Sequence, residues 1–412
     1  MANDALLVIM AGGGIGGLGA ALLLARAGAD VTLVEQVQEP AEVGAGLLLQ
    51  PNGLAVLQGL GLGDAVTAAG IRAPGGFVRN AAGALISTVA VPNYAAGLDH
   101  VVAIRRAALY SALLAAVREE PGIDCVFGTR VVTARRNGAV TVAPVRAGAA
   151  TRDLKGDLVV GADGVGSVVR GAGDFGASVH RTGHRYLRAV VPDRDAGPAG
   201  SPGLSGEFWT PAGLFGGTRI DADHLYFYAD ATAPSVASAV AAKDLSALCQ
   251  HWSAALPLAG ELLGRLERFD DLLINDVSTV TCKRWYDDRL VLLGDAAHAM
   301  PPTAGQGANS ALVDAAILAV AVDRFGLDQA LVRYDARRRP AVRGVQRRAE
   351  QLARLAGIRG VIGRSVRDRA LRLLGRLPGA GERVSRGLQQ EDPAALRVLV
   401  QGLVGRPDRL RG

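Results

Sequence analysis

The segment ALLVIMAGGGIGGLGAALLLARAGADVTLVEQ, residues 5–36, constrains the fold more than any other part of the chain. An apolar run of one strand length meets glycines, an apolar helical run follows, and a second strand ends at Glu35, which is a β-α-β unit. Gly12, Gly14 and Gly17 form GxGxxG at the mouth of that helix. The first glycine permits the tight turn, the second lets backbone approach a pyrophosphate, and the third lets helix and strand pack closely. The helix start, with Ile15 and Gly16 beside Gly17, offers unpaired N–H groups and a partial positive charge to phosphates. Glu35 is placed to accept ribose hydroxyls, and its charge disfavours a 2′-phosphate there. A bound dinucleotide is expected, with a purely structural glycine turn as the alternative.

The 412 residues suffice for two or more domains, and 49% hydrophobic residues with 54 scattered glycines argue for a folded chain rather than a disordered one. Cys125, Cys249 and Cys282 are odd in number, far apart and form no CxxC pair. That pattern speaks against a disulfide framework and a zinc site, and no metal site is expected. The N-terminus lacks a basic region, and no later run reaches eighteen apolar residues, so a cytoplasmic protein without a membrane-spanning segment is expected. The formal charge of +6 comes mostly from late arginines, as in RRRPAVRGVQRRAE and GRSVRDRALRLLGR. These read as solvated helix faces with carboxylate partners, or as an oligomer or membrane-surface contact. No nucleic-acid motif accompanies them, so no nucleic-acid partner is expected.

Further along, residues 101–118 carry helical spacing, and CVFGTRVVTARRNGAVTVAPV reads strand, turn, strand. From 180 to 275 the texture becomes β-like (RYLRAVV, GEFWT, GLFGGTRI, HLYFYAD), which predicts a separate, mainly antiparallel sheet that Phe77–Val91 joins. The expected organisation is α/β: a discontinuous Rossmann-like domain over 1–72, 98–179 and 276–340. An inserted sheet domain covers 73–97 and 180–275, and a helical C-terminal segment covers 341–412.

DLVVGADGVGSVVR (157–170) and RLVLLGDAAHAMPPTAGQGAN (289–309) each place an Asp beside Gly at a strand end. There Asp163 and Asp295 can accept hydrogen bonds from a cofactor's hydroxyls or cap the following helix. With these motifs in this order, the chain over residues 6–345 resembles the class A flavoprotein monooxygenases. This is the para-hydroxybenzoate hydroxylase family, and the match is greatest to its salicylate hydroxylase and zeaxanthin epoxidase branch.

The resemblance implies FAD as cofactor and NADH or NADPH as transient reductant. Gly12, Gly14, Ile15, Gly16, Gly17, Glu35 and Gln36 would hold its ADP half, although Gln36 stands where the family often has Arg. Met10 likewise replaces a smaller or branched residue. Arg106, or its neighbour Arg105, would reach the pyrophosphate or ribityl region, and Val131 would present backbone to the adenine. Asp163 and Gly164 fall in the motif shared by FAD and the nicotinamide cofactor. Gly294 and Asp295 match the ribityl site. Pro302, Gly305, Gln306, Gly307, Ala308 and Asn309 match the loop that passes the flavin ring. His298 is read as structural rather than as a base.

The implied reaction uses O₂ to form a flavin hydroperoxide and transfers one oxygen to an aromatic small molecule such as a phenol, indole or quinolone. Epoxidation of an alkene or polyene is the runner-up, and a reductase or dehydrogenase a more distant one. A halogenase is disfavoured because WxWxIP is missing. A monomer or homodimer is expected. In HRTGHRYLRAVV a period of two puts His184, Tyr186 and Arg188 on one face, either a surface ladder or a polar wall of the substrate pocket. On the second reading Arg188 binds a phenolate or carboxylate and His184 takes a phenol proton. Tyr226 and Tyr228 share a face, and Trp209 and Phe215 are aromatic walls or core.

Overall fold

In the computed structural model, Leu7–Ala11 and Asp30–Val34 pair in parallel, joined by the helix Ile15–Arg26. The structure describes residues 5–38, 45–146, 150–193 and 205–404. Val8 through Ala11 are buried without alternation, as expected of a central strand covered on both faces. Met10 is fully enclosed, so its bulk is absorbed by the core.

The sheet built on this pair runs Tyr286–Asp287, Leu290–Leu292, Leu158–Gly161, Leu7–Ala11, Asp30–Val34, Ile123–Val126. Its strands come from distant parts of the chain, and all but the first pair in parallel. One consequence positions the site: Gly12–Gly14, Ala162–Gly164 and Leu293–Asp295 all follow strands that end at the same sheet edge. The helix Gly307–Phe325 packs against Ile15–Arg26 in the same core.

A second sheet has the order Leu273–Thr281, Ser178–Pro192, His224–Asp230, Gly213–Arg219, Gly206–Thr210, Gly75–Asn80, Leu85–Ala90. Its pairs are antiparallel, except that Gly206–Thr210 lies parallel to Gly75–Asn80. Alternation separates its faces. Leu187, Ala189, Phe215 and Phe227 go to a core with Trp252, while Tyr186, Arg188, Tyr226 and Tyr228 point the other way, toward the first domain.

Two expectations are corrected here. The stretch read as mainly antiparallel sheet also contains three helices with no counterpart in that reading, Pro234–Ala241, Leu245–Ala255 and Pro257–Leu263, which cover the core face of the sheet. Pro234 and Pro257 occupy first helical positions, and Asp244 accepts the Ala247 N–H at 2.9 Å as an N-cap. Val236 and Val240, then Leu248 and Trp252, are buried at helical spacing. The helix read over 101–118 begins only at Arg106. Val101–Arg105 is a strand between Gly46–Leu49 and Gly70–Ala73, its first four residues buried with no helical stripe.

The C-terminal part is helical, as Leu327–Ala356, Val361–Gly375, Ala380–Leu388 and Pro393–Val404, while 405–412 lie outside the described residues. Some of its arginines pair with carboxylates, as Arg337 with Glu391 at 2.7 Å and Arg339 with Asp335 at 2.8 Å, and others donate to backbone carbonyls, as Arg343 does to Cys282 O at 2.9 Å. Among the described residues no helix is long and apolar enough to cross a membrane, and the three cysteines are free thiols.

Candidate active site

Two helices from distant parts of the sequence aim their N-termini into one cavity of about 650 Å³, which Gly14, Ile15 and Gly16 line from one side and Gly305 through Asn309 from the other. The first N–H groups of each helix lack intrahelical acceptors. The ladders begin with Leu18 N–H on Gly14 O at 2.8 Å and Ser310 N–H on Gln306 O at 2.7 Å. Both positive helix ends therefore face the same space.

The glycines there divide by what surrounds them. A Cβ on Gly12, whose φ is +103°, would stand 2.5 Å from Ala162 O, and one on Gly17 would stand 1.9 Å from Gly12 O. Backbone packing demands both, and neither lines the cavity. Gly14 has nothing within 4 Å of its Cβ direction, so what its missing side chain keeps open is space for a ligand.

The two motif aspartates also divide. Asp163 Oδ2 accepts Val168 N–H at 2.7 Å and Val169 N–H at 3.2 Å, capping the short helix Val168–Ala172, while its buried Oδ1 has no partner among the described residues. Asp295 is exposed on the cavity wall, with no hydrogen bond to its carboxylate among the described residues, and Gly164 and Gly294 line the same wall. Of the two arginine candidates, Arg105 is bound to Asp221 at 2.8 Å. Arg106, the first residue of the helix Arg106–Glu119, faces the cavity without a carboxylate partner among the described residues.

Glu35, Gln36 and Val131 stand outside the cavity, beyond the opening turn. Glu35 accepts Gly13 N–H at 2.6 Å and Val37 N–H at 2.8 Å, leaving each oxygen further acceptor capacity. Thr129 N–H donates to Glu35 O at 3.0 Å, which brings the strand Thr129–Ala134 and Val131 alongside. Gln36 is exposed.

On the far side, Pro302 opens the 3₁₀ turn Pro302–Ala304 and Gly305 takes φ +60°. Asn309 spends its side chain on the protein. Its Oδ1 accepts Gln50 N–H at 2.9 Å, and its Nδ2 donates to Leu48 O and Gly305 O at 2.9 and 2.8 Å, so only its backbone is left for a ligand. Gln306 accepts from Asn52 and Gln390, both at 3.1 Å. His298 is buried against Trp285 and hydrogen-bonded to Asp314, which also holds Arg338 at 2.8 Å and the Gly294 N–H at 3.1 Å. Burial alone would raise the Asp314 carboxyl, but His298 and Arg338 outweigh it and hold it below the usual carboxylate range. This fits a structural His298: the network fixes the turn that presents Asp295.

The remaining wall is the second sheet. Tyr186, Arg188, Tyr226, Tyr228, Glu207 and Trp209 line it. His184 does not, because the strand's register shifts between Arg181 and Arg185, and the simple alternation fails across that bulge. Phe215 faces the opposite core, stacked on Phe227 at 5.6 Å. The sequence reasoning missed Glu207. Its two oxygens accept the Tyr228 hydroxyl and the Trp209 indole N–H, both at 3.0 Å. Burial pushes its carboxyl up, against those hydrogen bonds, and pushes the Tyr228 phenol well up too, with the Glu207 charge adding to the effect. The signal in GEFWT was a carboxylate and an indole two residues apart, hence on one face.

The FAD binding domain family matches residues 5–218 and 227–349. The chain is 32% identical to an aurachin C monooxygenase/isomerase of Stigmatella aurantiaca, over 80% of this chain and 84% of that one. It is 33% identical to a 3-amino-4-hydroxybenzoate 2-monooxygenase of Streptomyces cremeus, over 84% and 86%. Among solved structures, a tetrameric 2-methyl-3-hydroxypyridine-5-carboxylic acid oxygenase superposes with a TM-score of 0.75 at 26% identity, over 95% of this chain and 98% of the other.

Proposed function

Because this chain belongs to the FAD-binding-domain family of flavin-dependent aromatic monooxygenases, we propose that its cavity holds FAD between the two helix N-termini, with the flavin end against the tyrosine-bearing sheet. The enzyme is an FAD-dependent monooxygenase of aromatic small molecules. Bound FAD, reduced by NADH or NADPH, supplies the activation of O₂ and the oxygen transfer.

The chain's own residues bind, orient and exclude water. Gly14 and the first N–H groups of Ile15–Arg26 would receive the pyrophosphate, with Arg106 as the cation beside it, and Glu35 would take the adenosine ribose, with Val131 offering its backbone to the adenine. Asp295, exposed on the cavity wall, would be the carboxylate acceptor for the ribityl hydroxyls, while Asp163 would hold the turn that presents Gly164 to the cofactor. The N–H groups of Gly307, Ala308 and Asn309 would stabilise negative charge on the bound flavin ring. Pro302 and Gly305 set the path of that loop. Arg188 and Tyr226 orient the substrate on the opposite wall, and Leu352, Leu355 and Leu371 of the C-terminal helices keep the space dry.

The observation that carries this reading is the convergence of two helix N-termini and an unpartnered Asp295 on one cavity with a polar aromatic wall. Asp295→Ala removes no hydrogen bond or ion pair among the described residues, so it should melt like the wild-type apoprotein yet lose most of its FAD on gel filtration. Wild-type flavin content in the variant would count against the assignment. A donor-rich wall also favours a polar ring over a polyene, which ranks hydroxylation above epoxidation.

A further inference from the structure

One row of the second sheet crosses five strands in register. Arg188 lies opposite Tyr228, Tyr228 opposite Gly216, Gly216 opposite Glu207, and Glu207 opposite Val78. Side chains of one row share a face, here the face that walls the cavity.

Gly216 makes the row continuous. A Cβ there would stand 2.5 Å from Tyr228 Cζ and 2.6 Å from its hydroxyl oxygen. The missing side chain is thus the gap through which the phenol crosses a whole strand to reach Glu207 Oε1 at 3.0 Å. Trp209, two residues from Glu207, donates to Oε2 at 3.0 Å. One donor on each oxygen fixes the plane of the carboxyl group and leaves each oxygen a further lone pair.

Neither ionisable group of the row has an ionic partner among the described residues: Glu207 has no cation and Arg188 no carboxylate, although both line the same cavity. A wall that served only to hold the sheet would gain nothing from an acid and a guanidinium kept apart in this way. Between them lies an aromatic floor, Tyr228 with Tyr226 at 5.8 Å between ring centres.

We propose that Glu207 is a specificity-determining residue that accepts a hydrogen bond from an N–H on one edge of the substrate ring, while Arg188 takes an oxygen on the opposite edge. The preferred substrate is then a planar ring with a donor on one edge and a carbonyl, phenolate or carboxylate on the other, as in a 4(1H)-quinolone or an amino-hydroxybenzoate. The inference rests on the reading that this wall faces the substrate.

The test uses the FAD-loaded full-length enzyme, titrated with 4(1H)-quinolone and with 3-amino-4-hydroxybenzoate, each beside its fully N-methylated counterpart, and followed by perturbation of the flavin spectrum. For at least one pair, the wild-type enzyme should bind the N–H compound ten-fold or more tightly. Glu207→Gln should shrink that ratio below two-fold at unchanged flavin content, because the amide has one oxygen for two protein donors and turns an N–H toward the ring. Tyr228→Phe, which leaves the carboxyl in place, should keep the preference.

Equal wild-type binding within both pairs, absence of binding by all four rings, or an undiminished ratio in Glu207→Gln overturns the proposal. The wild-type comparison and Tyr228→Phe stand even if Glu207→Gln fails to fold. Cofactor oxidation with product mass, measured on a panel that includes donor-free rings, reads the oxygenase separately. Hydroxylation without N–H discrimination refutes the role of Glu207 alone, whereas no oxygen transfer to any ring refutes the functional reading.

Discussion

Replacing Asp314 with alanine should destabilise the protein by about 3–5 kcal/mol, the usual cost of stranding one member of a buried ion pair. Asp314 and Arg338 are both fully buried and 2.8 Å apart, and Asp314 also accepts the Gly294 N–H at 3.1 Å and bonds to His298. Removing the carboxylate leaves the buried Arg338 guanidinium with only Glu391, at 3.7 Å, as a carboxylate partner among the described residues, and it frees the turn that carries Asp295, so flavin content should fall as well. Chemical denaturation of the apoproteins measures the first effect, and gel filtration of the holoproteins the second. A loss under about 1 kcal/mol, the size expected for an exposed pair, would contradict the network. Acid should narrow the gap. The folded carboxyl lies below its unfolded value, so its contribution is complete above about pH 4 and is lost as pH falls through the folded value. The difference between Asp314→Ala and wild type should therefore be constant at neutral pH and shrink only in strong acid. The double replacement Asp314→Leu with Arg338→Met, which removes both members of that pair, should recover part of the loss, the remainder being the His298 and Gly294 N–H contacts that Asp314 alone supplies.

The second large effect separates two glycines of one motif. Gly17→Ala places a methyl 1.9 Å from Gly12 O, a backbone atom with no freedom to move aside. It should cost about 3 kcal/mol, the upper part of the range for overpacking, and flavin binding should go with it. Gly14→Ala meets nothing within 4 Å and needs no unusual dihedral, since φ is −70°. The apoprotein should therefore melt like wild type, or slightly higher. Its affinity for FAD should nevertheless drop at least ten-fold, because the methyl occupies the approach to the helix N-terminus. Thermal melts of the apoproteins, paired with fluorimetric FAD titration, separate the two. A Gly14→Ala variant that binds FAD like wild type would remove the phosphate from this turn.

The parts of the site that could be read in the sequence are those made by local chain geometry. The opening β-α-β unit needs only residues 7–34, and the glycine spacing follows from contacts within one turn. Asp163 and Asp295 were recognisable as acids at strand ends, but which one caps a helix and which stays free depends on the Val168–Ala172 turn, which no spacing rule reports. His184 was misplaced because alternation assumes an unbroken strand and the bulge before Arg185 breaks it. Glu207 was invisible for a different reason. Its partner Tyr228 is brought opposite by two hairpins and a glycine in the strand between, so its meaning exists only once the register is fixed. The helices over 234–263 carried their own signals, Pro234 and Asp244, which were submerged in the surrounding strand texture.

The parallel pairing of Gly206–Thr210 with Gly75–Asn80 bears on how such enzymes are recombined. The wall that bears Glu207 continues into a hairpin encoded more than a hundred residues earlier, so the two stretches are one structural unit despite their distance along the chain. A chimera that transplants 178–281 from a relative without 75–90 would join a foreign strand to a native edge it never matched. Exchange of both stretches together is the smallest graft that carries a complete wall.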